Sequence, residues 1–190
     1  MTATGIGASP RRKEDFRFIT GKGNYTDDIN RAGQTFACFV RSPHAHATIG
    51  RIDAAAALAM PGVVAVLTGQ DMADDGIGGL ICGWVVKSKD GQPHKAPAHP
   101  VLALDTVRYV GDHVAMVIAE SYAQAKDAAE AAAVDYHPLA AVVDAKAALG
   151  PDAPLVHDEI AHNMVFDWEL GNYKETVDAF TAAAKVVSLD

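Results

Sequence analysis

Cysteine is scarce in this chain: Cys38 and Cys82 are the only two in 190 residues, far apart and each in an apolar setting. A disulfide framework is therefore not expected, and a reducing compartment such as the cytoplasm suits the composition. Long apolar runs are missing as well. The longest are strand-sized, well short of the roughly 20 residues that a membrane-spanning helix needs. Residues 1–10 hold no apolar core behind a basic start, so no signal peptide is expected there. Positive charge is in the minority, with 16 Lys and Arg against 24 Asp and Glu and a net charge of −8. A DNA or RNA partner would have to bind against that field, which argues against one. No Gly-Lys-Ser or Gly-Lys-Thr occurs, so a P-loop is absent, and no serine stands in a Gly-x-Ser-x-Gly elbow.

What the chain does contain is ordinary globular material, 49% hydrophobic and 21% charged. A chain of this length buries enough surface to fold without staples. Residues 35–40 are apolar on both faces, the pattern of a strand covered on two sides. An extended segment over 46–52 leads to Asp53, an N-cap for an alanine-rich helix over 54–60 that Pro61-Gly62 stops, and a buried strand follows at 63–67. A similar unit recurs. Strands over 107–109 and 113–119 flank the hairpin-type turn Gly111-Asp112. Ser121 and Gln124 then open a helix whose stripe is Tyr122, Ala125, Ala129 and Ala132, and a strand resumes at Val134-Asp135-Tyr136. Between the units, residues 71–100 form a long Gly-, Pro-, Lys- and Asp-rich loop around the apolar island 80–86. Residues 137–157 suit a connector with a short helix near 144–149, and a helix over 173–184 precedes a strand start at 185–190. A chain that stops inside a strand is expected to be part of something longer.

Candidates for chemistry are sparse. Gly21-Lys22-Gly23 lacks the third glycine and long helix of a dinucleotide loop and suits a turn. His44 and His46 share a face if extended, but the intervening and following residues add no third ligand, so satisfied strand-start histidines are expected. His157, Asp158, Glu159 and His162 form a denser polar cluster without a metalloprotease pattern, which suits a solvated loop. Cys38 suits a core thiol; Cys82, beside Trp84 and near Lys87, is the more accessible one. The adjacent pairs Asp27-Asp28, Asp74-Asp75 and Asp158-Glu159 suit turns, and Arg11, Arg12 and Lys13 an interface or solvated tail.

Three stretches carry a resemblance. The first runs from Arg11-Arg12-Lys13-Glu14-Asp15 through Phe18-Ile19-Thr20-Gly21-Lys22-Gly23 and Tyr25-Thr26-Asp27-Asp28 to Phe39-Val40-Arg41-Ser42-Pro43-His44-Ala45-His46-Ala47. The second is Gly83-Trp84, Lys89-Asp90-Gly91 and His99-Pro100-Val101-Leu102-Ala103; the third runs from Val107-Arg108-Tyr109-Val110-Gly111-Asp112 to Val134-Asp135-Tyr136. In order and spacing these resemble the start of the molybdopterin-binding large subunit of the xanthine dehydrogenase and aldehyde oxidase family, nearest to its aerobic carbon monoxide dehydrogenase branch.

The resemblance implies an α+β fold: residues 1–14 as a tail, an α/β hammerhead domain over 15–136 with a mixed buried sheet and alanine-faced helices, a connector over 137–157, and the first elements of a molybdenum-cofactor domain over 158–190. For the full subunit it implies molybdenum held by molybdopterin cytosine dinucleotide, FAD on a medium subunit and [2Fe-2S] clusters on a small one, in a dimer of heterotrimers. The family's Ala-Tyr-Arg active-site loop and its late glutamate do not occur here. No catalytic, cofactor-binding or metal residue is therefore carried over, and Cys38 and Cys82 do not match the carbon monoxide enzyme's cysteine. The expected role is a scaffold without catalytic groups in an enzyme oxidising carbon monoxide, an aldehyde or a heterocycle. A free-standing module that recruits flavin or iron–sulfur subunits is the alternative.

Overall fold

A computed structural model describes residues 5–9 and 11–189. Among the described residues, six strands form two antiparallel three-stranded sheets. In the first, β5 (His113–Ala119) lies between β1 (Phe36–Arg41) and β3 (Val63–Thr68). In the second, β2 (Ala47–Asp53) lies between β4 (Thr106–Val107) and β6 (Ala133–Pro138). The expected α+β architecture is present, and the mixed sheet resolves into these two antiparallel ones. Each strand–helix–strand unit crosses from one sheet to the other: β2 and β3 are joined by the short helix α2 (Ala55–Leu58), and β5 and β6 by α4 (Tyr122–Ala131).

Local chemistry explains the starts and stops. The helix expected over 54–60 is the single turn Ala55–Leu58 with Ala54, not Asp53, at its N-cap; Asp53, one residue earlier, accepts the Ala55 N–H at 3.1 Å from the end of β2. Gly62, at φ +78°, turns the chain into β3, and its carbonyl accepts the Glu120 N–H at 2.9 Å. Ser121 caps α4 by accepting the Gln124 N–H. The buried stripe of α4 is rotated from the expected one. Ala125 and Ala128 are buried with Ala129 and Ala132 half-buried beside them, while Tyr122 faces water.

Two clusters make the core. One joins the helices to the first sheet, with Ala57, Val117 and Ala128 surrounded by Val40, Met60, Val63 and Val66. The other lies where the sheets meet, with Ala47, Ala103, Val107 and Val114 surrounded by Ile49, Ile52, Val134 and Tyr136. Alanine at the helix contacts lets the helical backbone lie close to the sheet, so small side chains still exclude water there.

Several expectations are corrected. The strand β1 is covered on one face only: Phe36, Cys38 and Val40 are half-buried, whereas Ala37, Phe39 and Arg41 are exposed. The segments around Gly111-Asp112 do not form a hairpin, because β4 pairs with β2 and β5 with β1 and β3. The long loop begins later than residue 71, since α3 occupies Gly69–Asp74. Thr68 and Asp71 cap that helix reciprocally, a signal present in the sequence. The connector helix is one 3-10 turn, Ala147–Leu149, whose Ala147 N–H is accepted by Asp144. The last helix, α5, spans Tyr173–Ala182, and residues 185–189 form no strand; Asp190 lies outside the described residues. Residues 1–4 and 10 of the expected tail also lie outside them. Ahead of β1, α1 (Asp15–Ile19) buries no residue.

Candidate functional site

The densest polar convergence lies where the two sheets and the connector meet. Ser42, buried at the end of β1, donates its N–H to the Asp112 carbonyl at 2.9 Å and accepts the Gly111 N–H at 2.8 Å. Its hydroxyl accepts the His44 N–H at 3.0 Å. The Asp112 side chain, also buried, accepts the Arg108 N–H at 3.0 Å. Arg108 in turn reaches across the fold, donating from Nε to the Val156 carbonyl at 3.1 Å, and Arg41 donates to the Gly111 carbonyl at 3.1 Å. The turn at 108–112 is thereby tied to β1 on one side and to the connector on the other.

A cavity of about 260 Å³ opens beside this junction, with His99, Arg108, Tyr109, Asp112 and His157 on its walls. Burial, and then the Asp112 charge, push the Tyr109 phenol above its ordinary range. Burial, and then the Arg108 guanidinium, hold the His157 imidazole below its ordinary value. His113 is likewise held down by burial and then by Arg41; its ring stacks on Phe39 at 4.3 Å between centroids. Its Nε2 and the Tyr136 hydroxyl are buried without a hydrogen-bond partner among the described residues. Chemically the cluster is a joint. Its carboxylate and guanidinium are engaged with main chain, and no nucleophile stands against a base and an orienting group.

The residues singled out in the sequence are dispersed. His44 packs edge-on to Tyr136 at 5.0 Å, and His46 Nδ1 lies 3.0 Å from the Ala140 carbonyl, so each has a structural partner. Gly21 sits in a left-handed turn at φ +68°. Asp28 accepts the Tyr25 N–H; Asp74, at the end of α3, accepts from the Gln70 amide. His157 is half-buried against the cavity, while Asp158, Glu159 and His162 do not join it; Asp158 and Glu159 are exposed. Cys38 is half-buried; Cys82 is exposed, its thiol donating to the Trp84 carbonyl at 3.3 Å. Arg12 pairs loosely with Asp15 at 3.7 Å. Sequence reasoning missed Asn163, whose amide accepts the Val156 N–H and donates to the carbonyls of Ala148 and Pro154, pinning the connector. It also missed Asp112, read only as a turn residue.

Two antiparallel sheets bridged by crossing helices around this joint define an α+β scaffold of the hammerhead kind. The chain belongs to the aldehyde oxidase and xanthine dehydrogenase family, whose a/b hammerhead domain model matches residues 20–140. It is 40% identical to the carbon monoxide dehydrogenase large chain of Afipia carboxidovorans, over 98% of this chain and 23% of that relative. It is 37% identical to the nicotine 6-hydroxylase large subunit of Paenarthrobacter nicotinovorans, over 99% of this chain and 22% of that relative. Among solved structures, a Cu,Mo-CO dehydrogenase in its carbon monoxide reduced state aligns with a TM-score of 0.75 and 37% identity, covering 97% of this chain and 23% of the other. Quinoline 2-oxidoreductase from Pseudomonas putida 86 aligns with a TM-score of 0.68 and 40% identity, over 82% and 19%. This chain therefore spans less than a quarter of the length of these relatives. The expected family is borne out. Among the described residues, no helix is long and apolar enough to cross a membrane.

Proposed function

We propose that this chain is the N-terminal part of the large subunit of a molybdenum-dependent hydroxylase or dehydrogenase, a scaffold with no catalytic residue of its own. The observation that carries this reading is the alignment of 98% of the chain to 23% of a carbon monoxide dehydrogenase large chain. The substrate class is carbon monoxide, an aldehyde or a heterocycle. Residues 15–136 form the hammerhead unit, 137–157 the connector and 158–190 the first elements of the cofactor-bearing part.

Molybdopterin cytosine dinucleotide with molybdenum would supply the redox centre of the whole enzyme, with FAD and [2Fe-2S] on partner subunits. This chain's part is proposed as support for the elements that hold that group; its own buried carboxylate, Asp112, is engaged by the Arg108 main chain.

Surface supports the scaffold reading. The accessible area is 14328 Å², whereas a compact monomer of 19.9 kDa exposes only about 8,700 Å². The excess amounts to several interfaces of standard size. Much of it is apolar: Trp84 is 79% exposed, Ile81 93% and Leu170 82%. The loop 71–100 and the tail 1–13 are the segments proposed to meet the rest of the enzyme, with the exposed apolar island 80–85 as the loop's contact.

The test is the intact mass of the native polypeptide carrying this sequence, with molybdenum assayed on the same sample. A polypeptide several times heavier than 19.9 kDa that holds molybdenum is the expected result. A metal-free native product near 19.9 kDa would overturn the reading.

A further inference from the structure

Lys89 lies in the Lys89-Asp90-Gly91 stretch of the loop, and the hammerhead core makes no use of it. Around it, residues 86–94 fold back as a small hairpin. Lys87 bridges Pro93 in antiparallel fashion, the His94 N–H reaches the Val86 carbonyl at 2.7 Å, and the Ser88 N–H reaches the Gln92 carbonyl at 2.8 Å. Gly91, at φ +80°, closes the turn.

The hairpin's partner lies far along the chain, in residues 164–169. The Lys89 N–H donates to the Asp167 carbonyl at 2.8 Å and the Lys95 N–H to the Val165 carbonyl at 3.0 Å, while the Asp167 N–H donates to Ser88 Oγ at 3.2 Å. Across the same seam the Lys89 ammonium stands 3.3 Å from the Asp167 carboxylate and 3.2 Å from that of Glu169. Apolar burial contributes little here, since no described residue in 77–101 or 161–189 is buried. The seam is therefore held by two main-chain hydrogen bonds, one more to the Ser88 hydroxyl, and one cation shared between two anions, in contact with solvent.

We infer that Lys89 is an ionic clamp that joins the 86–95 hairpin to the 164–169 segment as one unit, which opens and closes as a whole apart from the hammerhead core. Trp84 and Val85, immediately before the hairpin, move with it. Charges this exposed attract through high dielectric and are screened by salt, so the clamp loosens as ionic strength rises. Local opening of such a unit precedes any global unfolding. The inference rests on this chain's own contacts and on the seam keeping its contact with solvent in the native polypeptide, beside the surface that the 80–85 island is proposed to lend to the rest of the enzyme.

Hydrogen exchange on the native polypeptide tests it, following peptides over 86–95, 164–169 and β5 at low and high sodium chloride. Raising the salt should speed exchange in the first two peptides together, by about two- to fivefold, and leave β5 unchanged. Lys89→Met should give that faster exchange already at low salt and remove the salt dependence, whereas Lys89→Arg should retain wild-type behaviour. Acceleration of the 86–95 peptide alone, salt dependence that survives in Lys89→Met, or equal acceleration of β5 would each overturn the clamp.

Discussion

Asp112 is a buried residue that ties the 108–112 turn together and fastens it to Ser42. Its carbonyl, carboxylate and N–H engage Ser42, Arg108 and Tyr109. Removing a buried acceptor strands the donor facing it, so Asp112→Ala should cost about 1–3 kcal/mol in urea unfolding. His113, next in the chain, gives a pH dependence whose sign follows from its environment. Burial, then Arg41, hold its folded value below the ordinary histidine value of 6.5, against a weaker opposing pull from Asp112; His99 adds to the lowering. Between that lowered value and 6.5 the unfolded chain takes up a proton that the folded chain refuses, so stability is complete above this window and falls as the pH drops through it. Thermal unfolding between about pH 5 and 7.5 should show this decline, and His113→Phe, which can keep the stack on Phe39, should flatten it. Gly69 makes a different demand: a β-carbon there would stand 2.4 Å from the Ala103 carbonyl oxygen. Gly69→Ala therefore requires backbone movement and should cost about 1–3 kcal/mol.

Elements differ in how far their sequences disclose them. The Ser121 cap of α4 was legible because its chemistry is local, and Ser121→Ala should destabilise the chain by about 0.5–2 kcal/mol in urea unfolding. The helix's buried face was less legible, since a run of alanines looks alike all round and the packing against Val117 and Ala57 decides which ones are covered. The pattern of β1 indicated two covered faces, yet Ala37 and Phe39 lie exposed and no described residue covers that face as the core covers the other. The turn at Gly111-Asp112 misled for a physical reason. A tight turn between two extended runs is local information, whereas the assignment of those runs to different sheets depends on β1, β2 and β3, more than 40 residues earlier.

For the whole molecule, the scaffold was legible through the order and spacing of three stretches, while the joint at Asp112, Arg108 and Val156 was not, because its members are spread over 48 residues or more and meet only after folding. If the surplus surface is covered in the native polypeptide, Cys82 becomes a reporter of that covering. Its thiol is exposed in this chain. Peptide-mapped alkylation should find Cys82 slowed by about tenfold or more in the native polypeptide relative to the same polypeptide unfolded. Equal rates would mean that the loop stays open to solvent.

The position of β5 sets a timetable for synthesis. It is the central strand of its sheet, yet the last of the three to leave the ribosome, since β1 and β3 end at Arg41 and Thr68 and it begins at His113. At about 5–20 residues per second, several seconds separate the emergence of β3 from that of β5. Throughout that interval β1 and β3 have edges with nothing to pair with, and their apolar side chains face the cytosol or a chaperone. A pause in translation before His113 would lengthen that exposure, so aggregation of the nascent chain should be more sensitive to slow codons over residues 75–112 than to slow codons after α4.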